Sequence, residues 1–185
     1  MSERPLKQTR DNFRFAKLVA EEIGFVHLVK ATEVFTRLAN PQWLSNLKTA
    51  FDFHDEGIRP HPAMTGEIKS IRRTLFGLLV IGETGQNTYE LRDDIAVVVD
   101  LGGDDIYRGA IAAPFGIEQG NRVVIDLTGN DQYHSTVLGL ATGRLGVGFL
   151  FDGNGDDEYR LAPGSGGTGV AGVGLLLDRA GNDHY

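Results

Sequence analysis

The chain has 185 residues, 41% of them hydrophobic and none of them cysteine, so a sizeable core is possible while disulfides and thiolate metal sites are excluded. Its net charge of −7 is unevenly spread: residues 1–77 hold 12 Lys+Arg against 9 Asp+Glu, whereas residues 78–185 hold 6 against 16. That acidic second part also carries 21 of the 25 glycines, which predicts two architectures and lacks the basic footprint of a nucleic-acid binder.

No stretch reaches the ~18 consecutive apolar residues that a membrane span needs. The opening residues, Met1-Ser2-Glu3-Arg4-Pro5, show no apolar run of a signal peptide. The compartment is therefore open: cytoplasmic, unless the chain is a trimmed fragment of a secreted or surface protein.

In chain order, residues 1–77 read as an α-helical cap. Phe15, Leu18, Val19, Ile23, Val26, Val29, Val34 and Leu38 lie near helical spacing between Asn12 and Asn40. Asn40-Pro41 reads as an N-cap followed by proline at the first helical position, opening a second helix through Trp43, Leu44, Leu47 and Phe51. His54 to Pro62 is a loop. Its His54, Asp55, Glu56 and His61 match no metalloenzyme spacing and read as solvated side chains. Thr65 is expected to cap a third helix through Ile68, Ile71 and Leu75. These helices are expected to cover the open N-terminal end of the acidic, glycine-rich part.

That second part is a repeat. Val97-Val98-Val99-Asp100-Leu101-Gly102-Gly103-Asp104-Asp105-Ile106-Tyr107 recurs in pattern from Val123, Phe149 and Leu175, at a strict period of 26 residues. The shared pattern is three apolar residues, Asp, any two, Gly, Asp or Asn, Asp, any one, Tyr. The linkers keep the period as well, since Gly143, Gly146 and Gly148 correspond to Gly169, Gly172 and Gly174. A degenerate copy from Leu79 to Tyr89, 18 residues ahead of the first full one, reads as an atypical terminal coil spanning 78–96. Short β-branched or aromatic triplets between turn residues read as strands. The chain is thus expected to be mainly β: residues 78–185 form a parallel β-solenoid (β-helix) of 26-residue coils starting near 97, 123, 149 and 175, with a β-roll or repeated hairpins as the other arrangement.

Each repeated residue has an expected task in a stacked coil. Gly103, Gly129, Gly155 and Gly181 suit positive φ. Tyr107, Tyr133, Tyr159 and Tyr185 would stack as an aromatic ladder. Two Asp ladders, Asp100/Asp126/Asp152/Asp178 and Asp105/Asp131/Asp157/Asp183, would place carboxylates close enough to repel. Either each Asp caps its own turn by accepting backbone N–H bonds, or Ca²⁺ ions sit between coils on carboxylates and turn carbonyls. Arg108, His134 and Arg160 would line up as compensating charge. Gly164-Ser165-Gly166-Gly167-Thr168-Gly169 has no helix after it, so it does not read as a phosphate loop.

The Gly-x-Asp-x-Tyr core, as in Gly129-Asn130-Asp131-Gln132-Tyr133, partly resembles the calcium-binding β-roll repeats of RTX proteins. It departs from them in its period and in placing Asp where their leading glycine stands. Residues 79 to 185 more closely resemble a loose set of bacterial β-solenoid proteins with D-x-x-G-x-D-x-Y repeats. That resemblance implies a scaffold and no established activity.

The sequence stops on a repeat motif at Tyr185, which is expected either of a fragment of a longer array or of an uncapped edge that self-associates. The functional expectation is a non-enzymatic structural or binding scaffold, with Ca²⁺ as its one candidate cofactor. A polysaccharide-binding or polysaccharide-processing protein using a solenoid face is the alternative, resting on fold analogy alone.

Overall fold

A computed structural model describes Arg14, Lys17 and residues 25–51, 61–92, 94–114 and 120–185. The chain is mainly β, with mixed and parallel sheets. Helix α1 is Phe25–Leu38 and α2 is Pro41–Ala50. The strands are then β1 Met64–Thr65, β2 Ile68–Thr74, β3 Gly77–Gly82, β4 Thr88–Leu91, β5 Ile95–Asp100, β6 Ile106–Ile111 and β7 Asn121–Asp126. They continue as β8 Gln132–Leu140, β9 Gly143–Arg144, β10 Val147–Asp152, β11 Glu158–Arg160, β12 Gly169–Val170 and β13 Val173–Asp178.

The strands form a six-stranded sheet in the order β2-β3-β5-β7-β10-β13, a five-stranded sheet in the order β1-β4-β6-β8-β11, and the pair β9-β12. From β3 and β4 onward every pairing is parallel, and most partners are one sequence repeat apart: Val98 with Val124, Val124 with Leu150, Leu150 with Leu176. The degenerate copy keeps its place by an offset of 18 residues, pairing Tyr89 with Tyr107.

The apolar triplets are continuous because both faces of the six-stranded sheet are covered. Their middle residues, Val80, Val98, Val124 and Leu150, point between the sheets and pack with Tyr89, Tyr107, Tyr133, Ile111 and Leu140. The flanking residues, among them Val99, Ile125, Phe149 and Phe151, form a second cluster with Leu44 and Leu47 of α2 and with Phe35 of α1. Phe35 stacks on Phe149 with ring centroids 6.1 Å apart. The two described helices therefore lie along the sheet face. Asn40 caps α2 as expected, accepting the N–H groups of Gln42 and Trp43 at 3.0 and 3.2 Å.

The third helix expected from Thr65 is a strand. β2 runs antiparallel to β3, and β1 antiparallel to β4, so a β-hairpin protects the edge at that end. The misleading helical spacing has a local cause: the register shifts between Ile68 and Ser70, and this irregularity lets Ile68 and Ile71, three apart, both pack on the core. Leu75, which would have continued the helical stripe, is 98% exposed at the hairpin tip.

Candidate functional site

The repeated Asp, Gly and Tyr residues converge between the two large sheets and their connecting turns. Tyr89, Tyr107, Tyr133, Tyr159 and Tyr185 stack in one column with ring centroids 5.0, 4.9, 4.8 and 4.7 Å apart. The column is internal, as Tyr89, Tyr107 and Tyr133 are fully buried. A buried phenol needs an acceptor, and each finds one in the next repeat copy. The Tyr89 hydroxyl donates to Asp100 Oδ2, and those of Tyr107 and Tyr133 donate to Asp126 Oδ2 and Asp152 Oδ2 at 2.5 Å. Burial, with the neighbouring carboxylates adding to it, pushes the Tyr89, Tyr107 and Tyr133 phenols well above their usual range, so they stay protonated donors.

Two members of the first Asp column bind their own turns as well, whereas Oδ1 of Asp152 and of Asp178 is buried without a hydrogen-bond partner. Asp100 Oδ1 accepts the Gly102 N–H at 2.9 Å and Asp126 Oδ1 the Thr128 N–H at 3.0 Å, the Asx-turn geometry that makes Asp suitable there. The second Asp column works between repeat copies. Asp105 Oδ1 accepts the Asn87 N–H at 2.6 Å, Asp131 Oδ1 the Asp105 N–H at 2.6 Å, Asp157 Oδ1 the Asp131 N–H at 2.7 Å and Asp183 Oδ1 the Asp157 N–H at 3.1 Å. Each carboxylate thus fastens the repeat copy before it.

A third column goes beyond the two Asp ladders expected from the sequence. Asp104, Asn130, Asp156 and Asn182 form an exposed ladder in which the N–H of Asn130, Asp156 and Asn182 each bonds the preceding side-chain oxygen at 2.9 Å. Its signal in the repeat is a strict Asp/Asn alternation. Alternation keeps neighbouring rungs from both carrying charge, which limits repulsion.

The glycine column has a different cause from the one expected. Gly103 does sit at φ 130°, but Gly129, Gly155 and Gly181 do not occupy the left-handed region. A Cβ on Gly129, Gly155 or Gly181 would fall on the carbonyl oxygen of the glycine one repeat copy earlier. Close stacking of backbone on backbone, rather than a left-handed turn, is what excludes a side chain there.

The Asp carboxyls are held in an unusual electrostatic state. Burial is the leading cause throughout, and it raises Asp100 and Asp126 above the ordinary carboxylate range. Burial also lifts Asp105 to about 9, Asp131 to about 7, Asp152 to about 8 and Asp157 to about 6. Asp178, at the less covered end, is raised by burial too.

Three groups of carboxylates, Asp100/Asp105/Asp126, Asp131/Asp152/Asp157 and Asp157/Asp178/Asp183, bring ligand oxygens within 4.8 Å of one another and could hold a cation. All eight candidate metal ligands read from the sequence therefore belong to one acidic spine. Each group supplies three carboxylates, against the roughly six to eight oxygens of a calcium shell. The adjacent carbonyls of Asp105, Thr128, Asp131, Asn154 and Ala180 already accept backbone N–H groups of neighbouring repeat copies.

The remaining candidates have ordinary surroundings. Arg108 pairs with Glu90 at 3.1 Å and Arg160 with Glu158 at 2.9 Å, so this line compensates strand glutamates and not the turn aspartates. Between them His134 is depressed by burial, with Arg160 and Arg108 adding to it. His61 accepts the Ala63 N–H on Nδ1 and lies 3.5 Å from Asp94, while His54, Asp55 and Glu56 fall outside the described residues. In the glycine-rich linker Gly164, Gly166 and Gly167 take positive φ, and the Ser165 hydroxyl accepts the Gly139 N–H at 3.0 Å, so the loop is tied to β8.

No family model, curated protein or solved structure matches the chain. No described helix is long and apolar enough to cross a membrane.

Proposed function

We propose that residues 78–185 wind as a parallel β-solenoid and serve as a non-enzymatic structural or binding scaffold. One observation carries this reading: most of the repeated Tyr, Asp and Gly residues are engaged in joining one copy to the next. Tyr hydroxyls reach forward to the next Asp, Asp carboxylates reach back to the previous N–H, and glycines let backbones approach. A catalytic site needs groups held ready for a substrate; these groups face each other.

In such a scaffold each coil contacts only its neighbours, and coils are interchangeable. Deleting residues 123–148, one full period, should therefore rejoin the register and leave a folded protein of lower stability. Removing about 20 residues from the same place should abolish the fold, because no column would realign. Circular dichroism and urea unfolding distinguish the two. If the full-period deletion unfolds as completely as the off-period one, the coil reading is wrong.

A further inference from the structure

The β2–β3 hairpin that protects one edge of the six-stranded sheet ends in two apolar residues to which the fold gives no task. Leu75 and Phe76 form the loop between Thr74 and Gly77, the last paired residues of the two strands. They are 98% and 77% exposed, more than any other large hydrophobic side chain among the described residues. The turn does not call for them. Gly77 takes the positive φ, 129°, while Leu75 and Phe76 take none. The Thr74 hydroxyl donates to the Gly77 carbonyl at 2.7 Å and accepts the Phe76 N–H at 3.1 Å, so flanking groups tie the apex. Two-residue hairpin loops ordinarily carry Asn, Asp or Gly, and polar residues at 75 and 76 would leave both bonds in place.

The charge below the apex is positive. Arg72 and Arg73, near the end of the rising strand, are both exposed. Strand side chains alternate, so the two arginines leave opposite faces of the ribbon. Arg72, exposed all the same, donates from Nε to the Ser70 hydroxyl at 3.3 Å. The next turn, whose Asp94 carbonyl accepts the Leu78 N–H, adds Arg92 and the Asp94 carboxylate, the latter 3.5 Å from His61. Asp93 lies outside the described residues. Further down the ribbon, Lys69 and Glu83 pair with each other at 2.8 Å.

We propose that the β2–β3 apex is a membrane-contact element: Leu75 and Phe76 enter the headgroup–acyl boundary of an anionic phospholipid bilayer, and Arg72 and Arg73 pair with its phosphates. An apolar tip with cations just behind it matches the two layers of such a surface. Anionic lipid supplies the complementary charge, felt within a Debye length. A folded protein partner fits the shape less well, since two side chains on a projecting turn offer far less than the roughly 800 Å² per partner of a stable interface. A fluid bilayer closes around a projection. Residues 78–185, with 6 Lys+Arg against 16 Asp+Glu, are repelled by the same surface, so the molecule stands on its hairpin.

The inference goes beyond the scaffold reading and does not depend on how residues 78–185 wind, so either can fail alone. Its test is co-sedimentation of the intact chain with vesicles of phosphatidylcholine, alone or with about 30% phosphatidylserine. We expect binding to the anionic vesicles only, weak and reversible as befits one small anchor. Leu75→Ser with Phe76→Ser, Arg72→Gln with Arg73→Gln, or salt at about 0.5 M should each weaken it by about tenfold or more. Phe76→Trp reads insertion directly: its emission should shift to the blue with anionic vesicles, whereas that of wild type, from Trp43 alone, should not. Absence of binding by the folded wild type, unchanged binding by the serine variant, or an unshifted Phe76→Trp spectrum would overturn the proposal. So would a lipid-independent dimer that the serine variant loses in light scattering, which would give the apex to a second copy of the chain.

Discussion

At the scale of single residues, the spine joins one repeat copy to the next by two recurring bonds, a Tyr hydroxyl to an Asp of the following copy and an Asp carboxylate to a backbone N–H of the preceding one. Tyr133→Phe keeps the stacked ring and removes only the hydroxyl that donates to Asp152. It leaves a buried acceptor short of a donor, which costs about 1–3 kcal/mol; urea unfolding reads the loss, and an unchanged midpoint would show that the bond contributes nothing. Gly155→Ala adds one methyl group where the Gly129 carbonyl already lies, so the backbone must move apart. Overpacking of this kind costs about 1–3 kcal/mol, and the same methyl at Gly120, which has open space, should cost much less. The glycines, aspartates and tyrosines are legible as a pattern because a stacked coil repeats its chemistry. Their roles are only half legible. Gly129 reads as a left-handed turn residue because sequence shows neither φ nor the carbonyl opposite it. The closeness of the Asp152 and Asp157 carboxyl oxygens, within 4.8 Å, is invisible for the same reason: two carboxyls five residues apart meet only once the turn between them is folded.

At the scale of elements, the apolar triplets carry the architecture. Val-Val-Val, Val-Val-Ile, Phe-Leu-Phe and Leu-Leu-Leu do not alternate with polar residues because the helices cover one face and the tyrosine column the other. Phe149 anchors the helical side through its stacking on Phe35. Phe149→Ala should cost about 3–5 kcal/mol and loosen α1 before the strands. Hydrogen exchange would locate the effect; equal loss of protection in β10 and α1 would mean that helix and sheet unfold as one. Strands and the capped helix α2 can be read from sequence, since triplets, Asn40 and Pro41 are local signals. β2 cannot, because an irregularity between Ile68 and Ser70 changes its side-chain period from two to three. Nor can the docking face of the helices, which depends on a sheet face that exists only when four distant triplets pair.

At the scale of the whole molecule, raised carboxyl pKa values link stability to pH with an unusual sign. The spine aspartates hold their protons more tightly folded than unfolded, where their midpoints return to about 4. Their contribution is then complete below about pH 4 and is lost as pH rises through the folded values, from about 6 at Asp157 to about 9 at Asp105. Proteins whose carboxylates are stabilised as anions by salt bridges lose stability in the opposite direction, on acidification. A bound calcium would also reverse the slope, because its ligands must be deprotonated and it stabilises the state that binds it. The most direct measurement is therefore thermal melting at about pH 5 and about pH 9, each in EDTA and again with excess Ca²⁺. Buried aspartates that keep their protons predict a higher melting temperature at about pH 5 in EDTA and no gain from calcium there. A melting temperature that rises toward alkaline pH and depends on calcium would contradict the account and make the acidic spine a cation site.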